Sequence, residues 1–295
     1  MPEGAVRVFI VGATGVLGRA VLPRLAAHGD TVVALVRSID RAAPIAGPGV
    51  ELIEGDLLSE TAERLQTILT GCDVAAHLAT ALRPGSPGLG ATNTNAALRI
   101  DGSRRLLGAV LSAGVPRYVQ QSIALGYVDG GDKWLDESTA FHRPDDPGSA
   151  AQPVVKMEGM VRELDSSNVA WLILRGGSFV GPGTRQDEVL ASLRDASLRV
   201  PGDGNNWVSF VHVEDYADAV VAAIHSSVTG VILNVTDEPI RNGEYLDRLA
   251  ALLGLPSPPR DAALPRPRSY RCTSALARES LGWAPVKGIW PQAAA

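Results

Sequence analysis

The chain is poor in lysine, in cysteine and in long apolar stretches, and each scarcity excludes a class of protein. Only three lysines occur among the 295 residues and the net charge is -5, so the sequence lacks the clustered basic charge that binds nucleic-acid phosphates. Cys72 and Cys272 are too few for a disulfide framework, and neither lies at a metal-ligand spacing from a histidine. We therefore expect a reducing compartment, no nucleic-acid partner and no metal site.

Long hydrophobic runs are also missing from the sequence. No segment approaches the roughly 18 consecutive apolar residues of a membrane span, and no charged leader with an apolar core precedes the first motif. The composition, 45% hydrophobic and 20% charged, is that of an ordinary globular protein. We therefore expect a soluble, cytoplasmic protein without a membrane partner.

The sequence does contain an alternation of apolar, β-branched runs with segments of helical periodicity. The runs predict six short buried strands, at residues 6–11, 31–36, 50–53, 73–78, 117–121 and 169–174. The periodic segments between them predict helices at residues 17–28, 60–69, 96–113 and 154–164. Because a βαβ order implies right-handed crossovers, the predicted fold class is α/β, with a doubly wound parallel sheet of the Rossmann type.

The alternation ends near residue 175, where glycine- and proline-rich pieces follow around helix-like segments. We therefore divide the chain into a nucleotide-binding core at residues 1–175 and a small, mainly substrate-binding C-terminal region at residues 176–295, interleaved with the core. Another glycine- and proline-rich stretch, residues 83–90, follows the fourth predicted strand. It is predicted to be a mobile loop that covers the substrate.

The strongest motif lies at the end of the first predicted strand, where Gly12-Ala13-Thr14-Gly15-Val16-Leu17-Gly18 opens a helix. Glycines at this spacing allow a tight turn, close approach of backbone amides to a pyrophosphate and close packing of the helix. The motif therefore predicts a dinucleotide site, with contacts from Gly12, Thr14, Gly15, Val16, Leu17 and Gly18. The alternative is a glycine-rich turn that binds nothing.

The end of the second predicted strand bears on the choice of cofactor. An acidic residue there would accept hydrogen bonds from the ribose hydroxyls of NAD(H), whereas this sequence has Arg37, with Arg41 nearby. A guanidinium can pair with a 2′-phosphate. We therefore expect NADP(H) as the cofactor, with NAD(H) as the alternative. Arg37 could instead be an ordinary solvated surface charge.

The glycine spacing GxxGxxG and four segments after it resemble those of the extended and atypical short-chain dehydrogenases/reductases. These are proteins of the NAD-dependent epimerase/dehydratase type. The four segments are Gly55-Asp56-Leu57, His77-Leu78-Ala79-Thr80, the run from Arg175 to Gly183, and Phe210-Val211-His212-Val213-Glu214-Asp215. The resemblance implies that Asp56 and Leu57 contact the adenine. It also implies that Leu78 and Ala79 form a wall beside the cofactor.

The same resemblance shows that a catalytic residue is missing. Reductases of the family pair a tyrosine with a lysine four residues later. The lysine lowers the pKa of the tyrosine phenol, so that the phenol can donate a proton to the substrate or accept one from it. Lys156 occupies the lysine position, but Gln152 stands in place of the tyrosine, and Arg99 in place of the usual asparagine. The resemblance implies catalytic roles for Lys156 at the nicotinamide ribose and for Ser122 and Gln152 at a substrate oxygen.

These residues leave the source of the proton open. Neither the Ser122 hydroxyl nor the Gln152 amide is an acid at neutral pH. Ser122 could also serve only the backbone at the end of its strand. His142 and Tyr127 lie in the segment before the predicted Lys156 helix and are the remaining candidates for proton transfer.

The sequence therefore predicts an NADPH-dependent ketoreductase that takes its proton from the substrate or from water. The pattern is most similar to actinobacterial atypical reductases of aromatic polyketides, which implies an angucyclinone-like aromatic ketone as the small-molecule partner. A non-catalytic NADP-binding regulator or redox sensor would also explain the missing tyrosine. A nucleotide-sugar epimerase or dehydratase is a third hypothesis, disfavoured because that chemistry relies on the same tyrosine.

Overall fold

A computed structural model of the chain describes residues 4–81, 93–142 and 151–291. Its strands in chain order are β1 (Arg7–Val11), β2 (Thr31–Val36), β3 (Val50–Glu54), β4 (Val74–His77), β5 (Arg117–Ile123), β6 (Trp134–Leu135), β7 (Ala170–Gly176), β8 (Ser178–Val180), β9 (Val200–Pro201), β10 (Trp207–Val208), β11 (Phe210–His212), β12 (Val231–Val235), β13 (Ile240–Arg241), β14 (Arg260–Asp261) and β15 (Arg271–Cys272). Seven of them form a parallel sheet in the order β12-β7-β5-β4-β1-β2-β3. The order reverses between β1 and β4, as in a doubly wound fold.

Helices cover both faces of this sheet. They are α1 (Val16–His28), α2 (Ile39–Ala42), α3 (Ala62–Leu69), α4 (Asn93–Ala97), α5 (Ser103–Ala113), α6 (Gln152–Arg162), α7 (Arg185–Arg194), α8 (Val213–His225), α9 (Asn242–Leu252) and α10 (Ala275–Leu281). A π-helical turn, Leu98–Gly102, joins α4 to α5. Within the described ranges, every helix is too short or too polar to cross a membrane.

The residues of β1 show why the sheet needs cover on both faces. Val8 and Ile10 belong to a core built with α1 and α8, whereas Phe9 and Val11 belong to a second core built with α3, α5 and α6. Successive side chains of a strand point to opposite faces. A continuous apolar run is therefore what a strand in the middle of a three-layer α/β fold requires, and the predicted fold class is confirmed.

The six predicted strands are all present, with boundaries within two residues of those expected. The seventh strand of the sheet, β12, was missed because it lies beyond residue 175, where the alternation had ended. It pairs with β7, so the C-terminal half of the chain completes the sheet as well as forming a separate core around α7 and α9. The boundary at residue 175 stays a prediction, and the loop at residues 83–90 lies outside the described residues.

The glycine-rich loop packs directly against the first turn of α1. A Cβ atom on Gly18 would lie 2.4 Å from the carbonyl oxygen of Gly12 and 2.5 Å from the Cα of Ala13. Real Cβ atoms do not approach the backbone so closely, and no flexible side chain is available to move aside. The third glycine of the motif therefore sets how near the helix lies to the loop.

We expect Gly18→Ala to lower the free energy of unfolding by about 1–3 kcal/mol, because the added methyl group must displace the loop backbone. Gly108→Ala is the matched control, since Gly108 is an exposed position of α5 whose Cβ would meet nothing within 4 Å. That change should raise stability by about 0.5–1 kcal/mol. Urea denaturation measures both, and equal stabilities for the two variants would contradict the close packing.

Candidate active site

The glycine-rich loop connects β1 to α1 at the carboxyl edge of the sheet. Gly12 has a φ angle of 98°, a left-handed conformation that favours glycine. A Cβ atom on Gly12 would lie 2.6 Å from the backbone nitrogen of Ala79, and the neighbouring Leu78 is buried in the core. The structure therefore brings the predicted phosphate loop and the predicted cofactor wall together at the point where the strand order reverses.

The first turn of α1 is open to an anion. Gly15 is its N-cap residue, no side chain caps the turn and no acidic residue lies in it. Thr14, Gly15 and Val16 are exposed, whereas Leu17 is buried and contributes its backbone only. Unpaired amides and the helix dipole attract negative charge. Arg19, which donates to the Thr14 carbonyl oxygen at 3.0 Å, adds a nearby cation, so the turn fits a dinucleotide pyrophosphate.

The adenosine end of the site lies beyond β2 and β3. Arg37 is exposed at the end of β2, and within the described part of the chain no ion pair involves it. The Asp56 carboxylate accepts a hydrogen bond from the Leu58 amide at 3.0 Å through one oxygen. The Leu57 side chain is buried in the core beneath this turn, so only its backbone could contact an adenine ring.

The predicted catalytic pair opens α6. Gln152 is the first residue of the helix and is half-buried, and Lys156 is exposed one turn later on the same face. Among the described residues, no carboxylate pairs with the Lys156 ammonium group. The structure thus leaves an available cation and a neutral amide next to each other.

The Ser122 hydroxyl lies in a buried hydrogen-bond network and does not line the exposed face of α6 that carries Lys156. It donates to Glu158 Oε1 at 2.5 Å. The same carboxylate accepts from Arg175, with Nη2 to Oε2 at 2.6 Å and Nε to Oε1 at 3.0 Å. All three residues are at most 4% exposed. A hydroxyl has one proton to donate, and here Ser122 donates it to Glu158, so its predicted role at a substrate oxygen stays a prediction.

Tyr127 belongs to the same network and is fully buried. Its hydroxyl donates to Asn234 Oδ1 at 2.9 Å and accepts from Arg175 Nη1 at 2.9 Å. Burial raises the pKa of the Tyr127 phenol. The phenol is therefore neither accessible nor acidic, and it is excluded as the proton donor.

The other candidate, His142, accepts a hydrogen bond on Nε2 from the Arg268 guanidinium, so this nitrogen has no proton to give. His77 ends β4 and burial lowers its pKa to about 4, which keeps the ring neutral at physiological pH. Arg99, in the π-helical turn, is also buried, and burial lowers the pKa of its guanidinium to about 10. It remains a cation where the family has a neutral asparagine.

Two residues of this buried hydrogen-bond network, Glu158 and Asn234, were not predicted from the sequence. Glu158 carried a signal, because it shares a helix face with Val154 and Val161 and is the one charge among buried apolar positions. Asn234 carried none, since it lies in β12, which was not predicted. Local patterns identify a buried charge more easily than its distant partner.

Two of the relatives found by comparison with known proteins are reductases. The chain is 34% identical to a 3-diazoavenalumate denitrifying reductase of a Streptomyces species, over 96% of this chain and 97% of the relative. It is 25% identical to a 4-hydroxy-2-methyl-3-oxo-4-farnesyl-3,4-dihydroquinoline-1-oxide ketoreductase of Stigmatella aurantiaca, over 84% of this chain and 74% of the relative.

Solved structures share the fold. MoeE5 in complex with UDP-glucuronic acid and NAD superimposes with a TM-score of 0.78 at 25% identity, covering 97% of this chain and 95% of that one. DesIV, a dTDP-glucose 4,6-dehydratase from Streptomyces venezuelae with NAD bound, gives 0.78 at 21% identity, covering 96% and 93%. The sequence model of the NAD dependent epimerase/dehydratase family matches residues 8–236. The chain therefore belongs to the NAD dependent epimerase/dehydratase family and is an oxidoreductase with a nicotinamide cofactor.

Proposed function

We propose that the chain is an NADPH-dependent reductase whose hydride acceptor needs no proton from the protein. The observation that carries this proposal is the state of the polar groups near α6. Gln152 is a neutral amide, and the hydroxyls of Ser122 and Tyr127 are both committed to buried hydrogen bonds. A reductase of this design would bind and orient its acceptor without protonating it.

Each exposed group then has a binding role. When bound, the nicotinamide cofactor supplies the hydride. The amides of the glycine-rich loop hold the pyrophosphate, Arg37 pairs with the 2′-phosphate, and Lys156 holds the nicotinamide ribose. Gln152, one helical turn from Lys156, donates a hydrogen bond that orients the acceptor.

An aromatic diazonium ion is the acceptor class that fits best. Its reduction breaks the carbon–nitrogen bond, forms a carbon–hydrogen bond and releases N2, consuming one hydride and no proton. This reaction therefore does not require the proton-donating tyrosine that the chain lacks. The Streptomyces relative, which matches nearly the full length of both chains, is named a denitrifying reductase of a diazo compound and supports this choice.

An aromatic polyketide-type ketone, angucyclinone-like in form, is a second candidate acceptor. Its oxygen must gain a proton after hydride transfer, and a hydroxyl on the neighbouring ring position could supply it within the substrate. The relative from Stigmatella aurantiaca is named a ketoreductase of a ring ketone, which supports this class. A ketone lacking such a hydroxyl would be a poor substrate.

Two further hypotheses do not involve the reduction of a substrate: a nucleotide-sugar epimerase or dehydratase, and a non-catalytic regulator. Another relative, 27% identical, is a UDP-glucose 4-epimerase of Mycolicibacterium smegmatis. Epimerases and dehydratases must move protons on sugar oxygens or carbons, and Gln152 stands where the family has the tyrosine for that step. A non-catalytic NADP-binding regulator would bind cofactor and turn over nothing. Conversion of a nucleotide sugar would support the epimerase or dehydratase hypothesis. Binding of NADP(H) without any turnover would support the regulator hypothesis.

We expect the protein to consume one NADPH for each N2 and each arene formed from an aromatic diazonium ion. With NADPH deuterated at the transferable position of nicotinamide C4, the deuterium should appear in the arene by mass spectrometry. Lys156→Ala should slow the reaction at least about tenfold, which corresponds to about 1.4 kcal/mol of barrier. Lys133→Ala, which removes an exposed lysine outside the site, should not.

A peri-hydroxy ketone and its O-methylated analogue form the second arm of this experiment. Faster reduction of the hydroxy compound, with no reaction of the diazonium ion above the protein-free rate, would favour the ketone. No turnover of any of the three compounds would contradict the proposed reductase.

We expect Tyr127→Phe to leave the turnover number within about threefold of the unmutated value, because the phenol does not reach the substrate. The same change should lower the free energy of unfolding by about 1–3 kcal/mol, since Asn234 Oδ1 and Arg175 Nη1 each lose the hydrogen bond to the phenol. Tyr118→Phe removes another buried phenol from β5 and is the matched control. Loss of turnover at unchanged stability would instead identify Tyr127 as the proton donor.

We expect NADPH to bind more tightly than NADH, because Arg37 can neutralise the 2′-phosphate. Arg37→Ala should narrow the difference in binding free energy by about 1–3 kcal/mol, as for other hydrogen bonds to charged groups. Calorimetry with both cofactors measures this. Arg104→Ala, which removes an exposed arginine from α5, should leave the difference unchanged, and equal affinities of the unmutated protein would refute the preference.

A further inference from the structure

A second cluster of polar side chains lies at the opposite edge of the sheet from the glycine-rich loop. His28 is the last residue of α1, Asp30 directly precedes β2, and His225 is the last residue of α8. All three lie at the amino ends of the parallel strands, whereas the cofactor loop follows the carboxyl end of β1. The cluster is therefore separate from the proposed active site.

The three side chains lie close together. His225 Nε2 lies 2.9 Å from Asp30 Oδ2, and His28 Nδ1 lies 3.6 Å from Asp30 Oδ1. The two imidazole rings stack with centroids 3.9 Å apart. One nitrogen or oxygen atom from each residue falls within 4.8 Å of the other two.

The fold holds these atoms in place before any ligand arrives. The buried Asp30 carboxylate accepts the Val6 amide on Oδ1 at 2.9 Å, and the Asp30 amide donates to the Leu25 carbonyl at 3.0 Å. Gly29, with a φ angle of 86°, makes the turn between α1 and Asp30. The His28 side chain is 48% exposed, which gives an ion a path from solvent.

Hydrogen bonds do not explain every close contact among these three side chains. The His225–Asp30 contact is a normal hydrogen bond, but the His28–Asp30 distance exceeds the usual limit of about 3.2 Å. His225 Nδ1 is buried and has no partner in the described structure. The His225–Asp30 hydrogen bond needs the proton on Nε2 and leaves Nδ1 without a partner. In the other tautomer the Nε2 lone pair faces the carboxylate, and a cation between these two atoms would bridge them.

We propose that His28, Asp30 and His225 bind a divalent transition-metal ion of the zinc type. Two imidazole nitrogens and one carboxylate suit Zn²⁺ and not Mg²⁺, which prefers oxygen ligands. Zinc bonds of about 2.0–2.2 Å place neighbouring ligand atoms about 3.3–3.6 Å apart in a tetrahedral site. The distances observed here, 2.9 Å and 3.6 Å, lie near this range. Water completes the coordination on the exposed side of His28.

The bound ion would join the C-terminal ends of α1 and α8 to the turn before β2, far from the cofactor. Its role is therefore structural. This differs from the absence of a metal site that the sequence predicts, because that expectation rested on local cysteine and histidine spacing. Asp30 and His225 are 195 residues apart in the chain, so no local pattern could show the cluster.

The test is a titration of the untagged, chelator-treated full chain with ZnCl2, followed by calorimetry and by thermal melting. We expect one Zn²⁺ ion per chain and a higher melting temperature, and no effect of MgCl2 at the same concentration. His28→Gln should weaken Zn²⁺ binding at least about tenfold, and it should change the metal-free melting temperature little because about half of the side chain is exposed.

His142→Gln is the matched control, since it removes a histidine outside the cluster, and it should bind Zn²⁺ as the unmutated chain does. His225→Gln should weaken binding as His28→Gln does. Failure to bind one ion per chain would overturn the proposal. Equal Zn²⁺ affinities of the His28→Gln variant and the unmutated chain would overturn it as well.

Discussion

The buried ion pair between Glu158 and Arg175 is the interaction on which the cofactor side of the molecule depends. Moving two charges out of water costs several kcal/mol for each ion, and this cost is offset only when the remaining hydrogen-bonding capacity is also filled. Here β5 supplies Ser122, the segment after it supplies Tyr127, and the Arg175 guanidinium lies 3.8 Å from the centre of the Phe141 ring. One pair therefore holds α6 against β5 and β7.

The same pair limits the chemistry. Its hydrogen bonds use the hydroxyls of Ser122 and Tyr127. In the first turns of α6 the half-buried Gln152 amide and the exposed Lys156 ammonium group remain. Such a site offers a hydrogen bond and a positive charge to a bound molecule, but it has no phenol in the place of the family's tyrosine. The proposed acceptors need no proton from the protein, and the proposal therefore rests on how the core uses these hydroxyls.

The two edges of the sheet differ in character because parallel strands all point the same way. Arg19, Arg37 and Lys156 collect at the edge where the strands end, in a chain whose net charge is -5. Cations concentrated at one edge of an acidic protein favour an anionic cofactor there. The opposite edge carries the histidine and aspartate cluster.

The sequence by itself determined the features that depend on neighbouring residues. The strands follow from continuous apolar runs, the phosphate loop from glycines between a strand and a helix, and the Gln152–Lys156 relation from one helical turn. The tertiary structure alone decided the partners of Ser122 and Tyr127, which lie 36 and 107 residues away, and the place of β12 in the sheet. The physical reason is that burial and hydrogen-bond partners arise from packing between distant segments, which a local pattern of residues does not encode.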